Sequence, residues 1–245
     1  METKVALVTG GTAGIGRSVA QVLKRDGWRV AVCARREDRL RELASQGFST
    51  YPCDVSDSHS VEGLISAIES DHGRLDAVVN SAGVAAARQD FVELPDEEVR
   101  RLFEINVYGT LSVTRSAIRL LKVNGGTIVN LSSTLARRPR PGSAVYSATK
   151  GAIEAFTMAL GTEVAKDKIR VHVVAPALVR SEIWLASGMS NDDYDSLLAA
   201  RGREFPLGRA GEPEDVSELI AYLVSDKARW MTGNLIQVDG GATMR

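Results

Sequence analysis

Short apolar, β-branched runs alternate with amphipathic stretches from one end of the chain to the other. "KVALVTG" at positions 4–10 is brief, rich in valine and closed by glycine, which favours a buried strand over a helix. Apolar residues then recur at helical spacing from about Ile15 to Asp26. The alternation continues: "WRVAVCA" reads as a second strand, and "EDRLRELASQG" as a charged helix stopped by Gly47. "FSTYPCDV", "LDAVVNSAG", "GGTIVNLSS", "IRVHVVAPA" and "LIQVDGG" supply five more strands. Strands that are apolar throughout, without polar residues on alternate positions, belong to a parallel sheet covered on both faces. Seven of them with helices between predict a doubly wound α/β architecture.

One stretch breaks the rhythm. Positions 181–211, "SEIWLASGMSNDDYDSLLAARGREFPLGRAG", form the longest segment without a strand, and Trp184, Leu185, Met189, Leu197, Leu198 and Phe205 make it apolar. Ligands in such sheets bind beyond the C-terminal ends of strands, so an apolar excursion from that edge is a candidate substrate lid. A helical insert packed on the protein's own body is the alternative. No repeat, low-complexity run or Pro/Gly-rich linker divides the chain, and residues 1–245 are expected to form a single dinucleotide-binding and catalytic domain.

Composition narrows the class. Thirty basic residues against 31 acidic ones leave a net charge of −1, with no basic surplus for nucleic acid. No apolar run approaches the roughly 20 residues that span a bilayer, and the start, "METKVALVTGG", does not read as a signal peptide. Cys33 and Cys53 are too few for a disulfide framework or structural zinc, so buried free thiols, a cytoplasmic setting and no metal site are expected.

Candidate chemistry begins at "TGGTAGIG", which follows the first strand and opens the first helix. Glycines at this spacing allow a tight turn, close approach of backbone to phosphate, and a pyrophosphate resting on the helix N-terminus. The pattern is weak alone; its position between strand and helix gives it meaning. Expected contacts are Gly10, Thr12, Gly14, Ile15 and Gly16. An acidic residue ending the second strand would accept the ribose 2′-hydroxyl of NAD, but this chain has Ala34 followed by Arg35 and Arg36. Guanidinium groups suit a 2′-phosphate, so NADP(H) is favoured over NAD(H). The plainer alternative has both arginines joining Glu37 and Asp38 on a charged helix face.

Further on, Tyr146 and Lys150 in "VYSATKGA" are four residues apart at a helix start and share one face. Ser133 precedes Tyr146 by thirteen residues, at a strand end, and Asn106 falls in a preceding helix, in "INVYG".

With the glycine turn, these residues resemble the short-chain dehydrogenase/reductase family along essentially the whole chain, closest in motif pattern to 3-oxoacyl-carrier-protein reductases. "NSAG" at 80–83, Asn106, Ser133, Tyr146 and Lys150 stand in the family's order, Asp54 in "CDV" matches its adenine-contacting aspartate, and "GEPEDV" and "GNLIQVDGG" match its C-terminal third. The resemblance implies a seven-stranded sheet in the order 3-2-1-4-5-6-7, a homotetramer or dimer, and interconversion of a ketone and a secondary alcohol. Tyr146 would be the general acid or base, Ser133 would hold the carbonyl oxygen, Lys150 would bind the nicotinamide ribose and lower the tyrosine's pKa, and Asn106 would anchor a proton relay. Bringing a phenol from about 10 to about 7 takes roughly 4 kcal/mol, which an ammonium about 4 Å away supplies at an effective dielectric near 20. Asp54, Val55, Asn80, Ala82, Gly83, Tyr146, Lys150, Pro176, Val179 and Ser181 complete the implied cofactor contacts.

The chain departs from the family in having Ala177 where glycine is usual after Pro176, which suggests a slightly smaller pocket. Leu135, Val145, Leu178 and Trp184 are expected to wall that pocket, and Arg138, between Arg137 and Arg140 in "TLARRPRPGSAV", offers an anion contact. A solvated loop face or a subunit contact is the alternative for these arginines. Carrier-protein reductases commonly have basic residues where Asn124 and Asp167 stand, although Lys122, Lys166 and Lys168 are near. The substrate is therefore read as a small carbonyl or alcohol, with a carrier-bound ketoacyl group as the alternative. A non-catalytic dinucleotide sensor has no need of Ser133, Tyr146 and Lys150 together, and an epimerase or dehydratase would call for a longer chain.

Overall fold

The first strand shows how the sequence builds the layers. In β1 (Val5–Thr9) every residue is buried, and successive side chains go to opposite faces of the sheet. Ala6 and Val8 join a core on one face with α1 (Gly14–Arg25), α2 (Glu37–Ser45) and α8 (Pro213–Val224). Val5 and Leu7 join a second core on the other face with α3 (Ser58–His72), α5 (Thr110–Asn124) and α6 (Ala144–Val164). This two-sided burial is why β1 and the strands beside it, Arg29–Ala34 and Ala77–Asn80, read as largely apolar runs. The computed structural model describes residues 2–86, 88–183 and 189–244.

The remaining strands are β2 (Arg29–Ala34), β3 (Ser49–Pro52), β4 (Ala77–Asn80), β5 (Gly126–Leu131), β6 (Ile169–Pro176) and β7 (Asn234–Val238). They form one parallel sheet in the order β3-β2-β1-β4-β5-β6-β7, as the family resemblance implies. The chain winds outward from β1 in both directions, so a crevice opens between the C-terminal ends of β1 and β4, where ligands bind in such sheets.

Two local features depart from the periodic reading. Between α4 (Asp96–Phe103) and α5, residues Glu104–Gly109 form a π-helical turn that contains Asn106. After β6 the chain makes a parallel bridge between Val179 and Gly211, and α7 (Asn191–Glu204) is held to it by Tyr194. The Tyr194 hydroxyl accepts from Ser181 N at 2.7 Å and donates to Val179 O at 3.3 Å. The 181–211 excursion is thus tied back to the sheet edge, and part of it, including Trp184 and Leu185, lies outside the described residues.

Asp76, buried ahead of β4, fixes the bottom of the sheet. Its carboxylate accepts from Val5 N at 2.8 Å and from Arg74 at 2.9 and 2.7 Å. Asp76→Ala leaves a buried N–H without its acceptor, and urea denaturation should show a loss of about 2 kcal/mol; a loss below about 0.5 kcal/mol would mean that water replaces the carboxylate there.

Candidate active site

Ser133 stands two residues beyond β5 in extended backbone (φ −158°), which turns its hydroxyl out of the sheet. α6 begins eleven residues later and runs along that edge, so Tyr146 and Lys150, one turn apart, both face the strand end. Lys150 Nζ donates to Leu131 O at 3.0 Å and lies 5.7 Å from the Tyr146 ring centroid. The Ser133 and Tyr146 hydroxyls are hydrogen-bonded to each other. The π-helical turn brings Asn106 in from the opposite side, where Oδ1 accepts from Val84 N at 2.8 Å and Nδ2 donates to Val84 O at 2.9 Å. Nδ2 also donates to Thr149 Oγ1 at 3.3 Å, and that hydroxyl donates to Tyr146 O at 2.7 Å. Ser133, Tyr146 and Lys150 therefore meet at one place, and Asn106 is joined to them from behind through Thr149.

The electrostatics correct one expectation. The phenol is not brought to neutrality before cofactor and substrate arrive: burial pushes Tyr146 up to about 12, and the Ser133 hydrogen bond only partly opposes it. The same desolvation lowers Lys150 to about 8. The physical reason is burial away from water, which disfavours the charged form of both groups. At neutral pH the pair is a protonated phenol beside a largely protonated amine, an arrangement that can give a proton but does not start as a base.

The dinucleotide cleft lies on the other side of this wall. Gly10, Thr12, Gly14, Ile15, Arg35, Arg36, Asp54, Val55, Ala82, Gly83 and Ser181 line a groove of about 350 Å³. Gly10 and Gly14 have φ of +64° and +50°, a left-handed backbone that glycine adopts without strain. A Cβ on Gly10 would lie 2.8 Å from Ala82 Cα, and one on Gly16 would lie 2.5 Å from Gly10 O. Bare backbone at a helix N-terminus fits a pyrophosphate, so the residues present suit a dinucleotide.

Some predicted contacts lie elsewhere. Asn80 faces the sheet interior, its amide donating to Asn130 Oδ1 at 2.8 Å and Thr114 Oγ1 at 3.0 Å, because β4 is buried on both faces at that point. Gly16 supports the turn from beneath, and Pro176 and Val179 line the adjoining catalytic cavity. Ala177 sits there without backbone strain: among the described residues Lys168 is the only non-glycine with positive φ. Arg36 is engaged by Glu182 at 2.9 Å, which also pairs with Arg39 at 3.4 Å, while Arg35 lies 3.9 Å from Asp54. Sequence reasoning missed Glu182, whose neighbourhood to Arg36 is visible only in the fold.

The catalytic cavity, about 370 Å³, is lined by Ser133, Tyr146 and Lys150 and shares Ile15, Ser81, Gly83, Ser181 and Ile183 with the dinucleotide cleft. Leu135, Leu178 and Arg138 lie in its wall as predicted. Val145 does not: it points into a separate hollow on the far side of Tyr146, since neighbouring helix positions face about 100° apart. Arg137 is turned away, donating to Glu154 at 3.0 Å. Arg88 and Arg201, from two distant elements, join the lining and were not foreseen, as no local pattern marks them.

A family model described as enoyl-(acyl carrier protein) reductase matches residues 10–243. An uncharacterised oxidoreductase of Methylorubrum extorquens is 38% identical over 248 residues, with 98% of each chain covered. Among solved structures, ElxO with NADP bound superposes with a TM-score of 0.91 at 28% identity over 100% of both chains. A 3-ketoacyl-(acyl-carrier-protein) reductase from Brucella melitensis complexed with NADH gives 0.88 at 33% identity over 99% of both. These full-length likenesses agree with the glycine turn and with the meeting of Ser133, Tyr146 and Lys150, and the chain belongs to the short-chain dehydrogenase/reductase family of oxidoreductases.

Proposed function

We propose that the protein reduces a ketone to a secondary alcohol with Tyr146 as general acid. The observation that carries this reading is that Ser133, Tyr146 and Lys150 share one wall of a cavity that opens into the dinucleotide cleft. A bound reduced nicotinamide supplies a hydride to the carbonyl carbon. The chain's own part is to hold the carbonyl oxygen at the Ser133 hydroxyl and to deliver the Tyr146 phenolic proton to that oxygen, leaving an alcohol and a phenolate that solvent reprotonates. Lys150 holds positive charge beside the developing phenolate and, with Asn106, keeps the helix start in place. A screen of NADPH oxidation against ketones, ketoacyl thioesters and quinones tests it: turnover confined to quinones would reject the carbonyl reading.

The phosphate-bearing cofactor is favoured by the guanidinium groups at the end of β2. Arg36 and Arg39 already grip a carboxylate, that of Glu182, on the rim of the cleft, and a 2′-phosphate offers them a stronger bidentate partner. Titration should give tighter binding of NADPH than of NADH, with Arg35→Ala and Arg36→Ala narrowing the gap. Exposed ion pairs are weak, so Glu182→Gln should tighten NADPH binding by only about two- to five-fold. Equal affinities of the parent protein for the two cofactors would reject the preference.

A carrier-bound ketoacyl substrate has a weaker case. The carrier-docking surface of such a reductase calls for open basic charge, but Lys122 is paired with Asp167 at 3.1 Å beside Asn124. A small substrate fits the cavity volume better. The family expectation of a homotetramer or dimer is supported by large exposed apolar side chains, Trp230 (97% exposed) and Leu207 (74%) among them. Two free buried thiols are in keeping with a reducing, cytoplasmic setting.

A further inference from the structure

We infer that the substrate carries an anionic oxyacid group, a carboxylate or a phosphate, gripped by Arg88, Arg138, Arg140 and Arg201 in the catalytic cavity. This deepens the carbonyl-reductase reading and rests on it.

Four guanidinium groups line the cavity that holds Tyr146, and no acidic side chain appears among its described lining residues. The chain as a whole is balanced, at 30 basic against 31 acidic residues, so this is a local imbalance and not a generally basic protein. The arginines converge from three separate elements. Arg88 comes from the connection after β4, Arg138 and Arg140 from the β5–α6 loop, and Arg201 from α7. None of them lines the dinucleotide cleft, which excludes the cofactor's own phosphates as the anion they serve.

Nearby carboxylates do not cancel the charge of Arg138, Arg140 and Arg201. Glu204 pairs with Arg201 at 2.8 Å and reaches Arg140 at 3.8 Å, so one carboxylate is divided between two guanidinium groups. Arg138 has no ion-pair partner among the described residues. Arg88 is held below the usual guanidinium range, first by burial and then by the charges of Arg201 and Arg140. Like charges gathered in a partly enclosed space repel one another, and an anion between them relieves that repulsion. Arg137 gives the contrast: on the same loop, it turns out of the cavity to meet Glu154. Planar guanidinium forks match carboxylate and phosphate oxygens two at a time, while Leu135, Leu178 and Leu197 provide an apolar wall for the intervening carbon chain. The anionic group takes no part in hydride or proton transfer; it fixes which end of the substrate enters.

The test compares matched ketones on the intact enzyme with NADPH: 5-oxohexanoate against its methyl ester, and dihydroxyacetone phosphate against dihydroxyacetone. The parent should prefer the anionic member of at least one pair by about ten-fold or more in kcat/KM, and Arg138→Ala and Arg201→Ala should each reduce that ratio by about ten-fold. The ratio is measured on a single preparation, so partial loss of folded enzyme does not alter it. Arg137→Ala should leave the ratio unchanged. Preference within the first pair identifies a carboxylate site and within the second a phosphate site. A ratio near one for both pairs overturns the inference while sparing the carbonyl reading, and a preference that survives both arginine substitutions overturns the assignment to these residues. Failure of all four ketones counts against the carbonyl reading. The anion site is then read by calorimetry in the presence of NADP: glutarate should bind and neutral glutaramide should not, and equal heats from the two would overturn it.

Discussion

Replacing Tyr146 by phenylalanine should lower kcat/KM for ketone reduction by about 10²- to 10⁴-fold, the usual contribution of a positioned general acid, while leaving NADPH affinity close to that of the parent. The substitution removes one oxygen and keeps the ring, so the packing of the α6 start against β5 is preserved. Its specificity comes from the environment: the phenol is pushed up to about 12 by burial, so at neutral pH it is protonated and poised to donate. Steady-state rates with a fluorescence titration of NADPH separate the two effects. Near-normal turnover would remove Tyr146 as the proton donor. Weakened cofactor binding with unchanged turnover would instead make it a binding residue.

Why so much of this arrangement is legible in the chain, and some of it is not, follows from the range of the forces involved. The sheet is legible because burial on both faces leaves a continuous apolar run in its inner strands, as in β1 and in Val30–Cys33 of β2. The glycine turn is legible because left-handed φ at Gly10 and Gly14 is a local demand that only glycine meets easily. Tyr146 and Lys150 are legible because helical spacing alone puts them on one face. The helical position of Asn106 is legible, but nothing in "INVYG" announces the wide π turn around it. Asn80 and Val145 show the limit of motif reading, since a residue beside a site can point into the sheet or into a neighbouring hollow. The arginine cluster is the clearest case. Arg88, Arg138, Arg140 and Arg201 span more than a hundred positions of sequence, and only the return of α7 over the β5–α6 loop makes them neighbours.

The pH dependence of the reaction should report Lys150 and not Tyr146. A group whose proton is lost at about 8 when folded is an ammonium below that pH and a neutral amine above it, so kcat/KM measured for NADPH, which reflects ionisations of the free enzyme, should fall about tenfold per unit above pH 8. Tyr146, raised to about 12, stays protonated throughout that window. Neighbouring groups do not supply the limb: Nζ faces Leu131 O and the Tyr146 ring, Asn106 is neutral, the carboxylate one turn on, Glu154, is held by Arg137 and Ser132, and the Cys53 thiol in the dinucleotide cleft, drawn down to about 7 by its hydrogen bond to Cys33, titrates below it. Lys150→Met keeps a straight apolar side chain in the same space and removes the charge; it should cost about 10²-fold below pH 8 and abolish the decline above it. A parent profile flat to pH 10 would show that Lys150 does not titrate in this range, and a variant that retains the limb would show that another group titrates there. The depressed pKa also means that the folded protein holds this charge less well than water does. An amine kept at that disadvantage, with its Nζ between the strand end and the tyrosine, subtracts from the stability of the fold at neutral pH, which is the cost expected of the role proposed for it beside a developing phenolate.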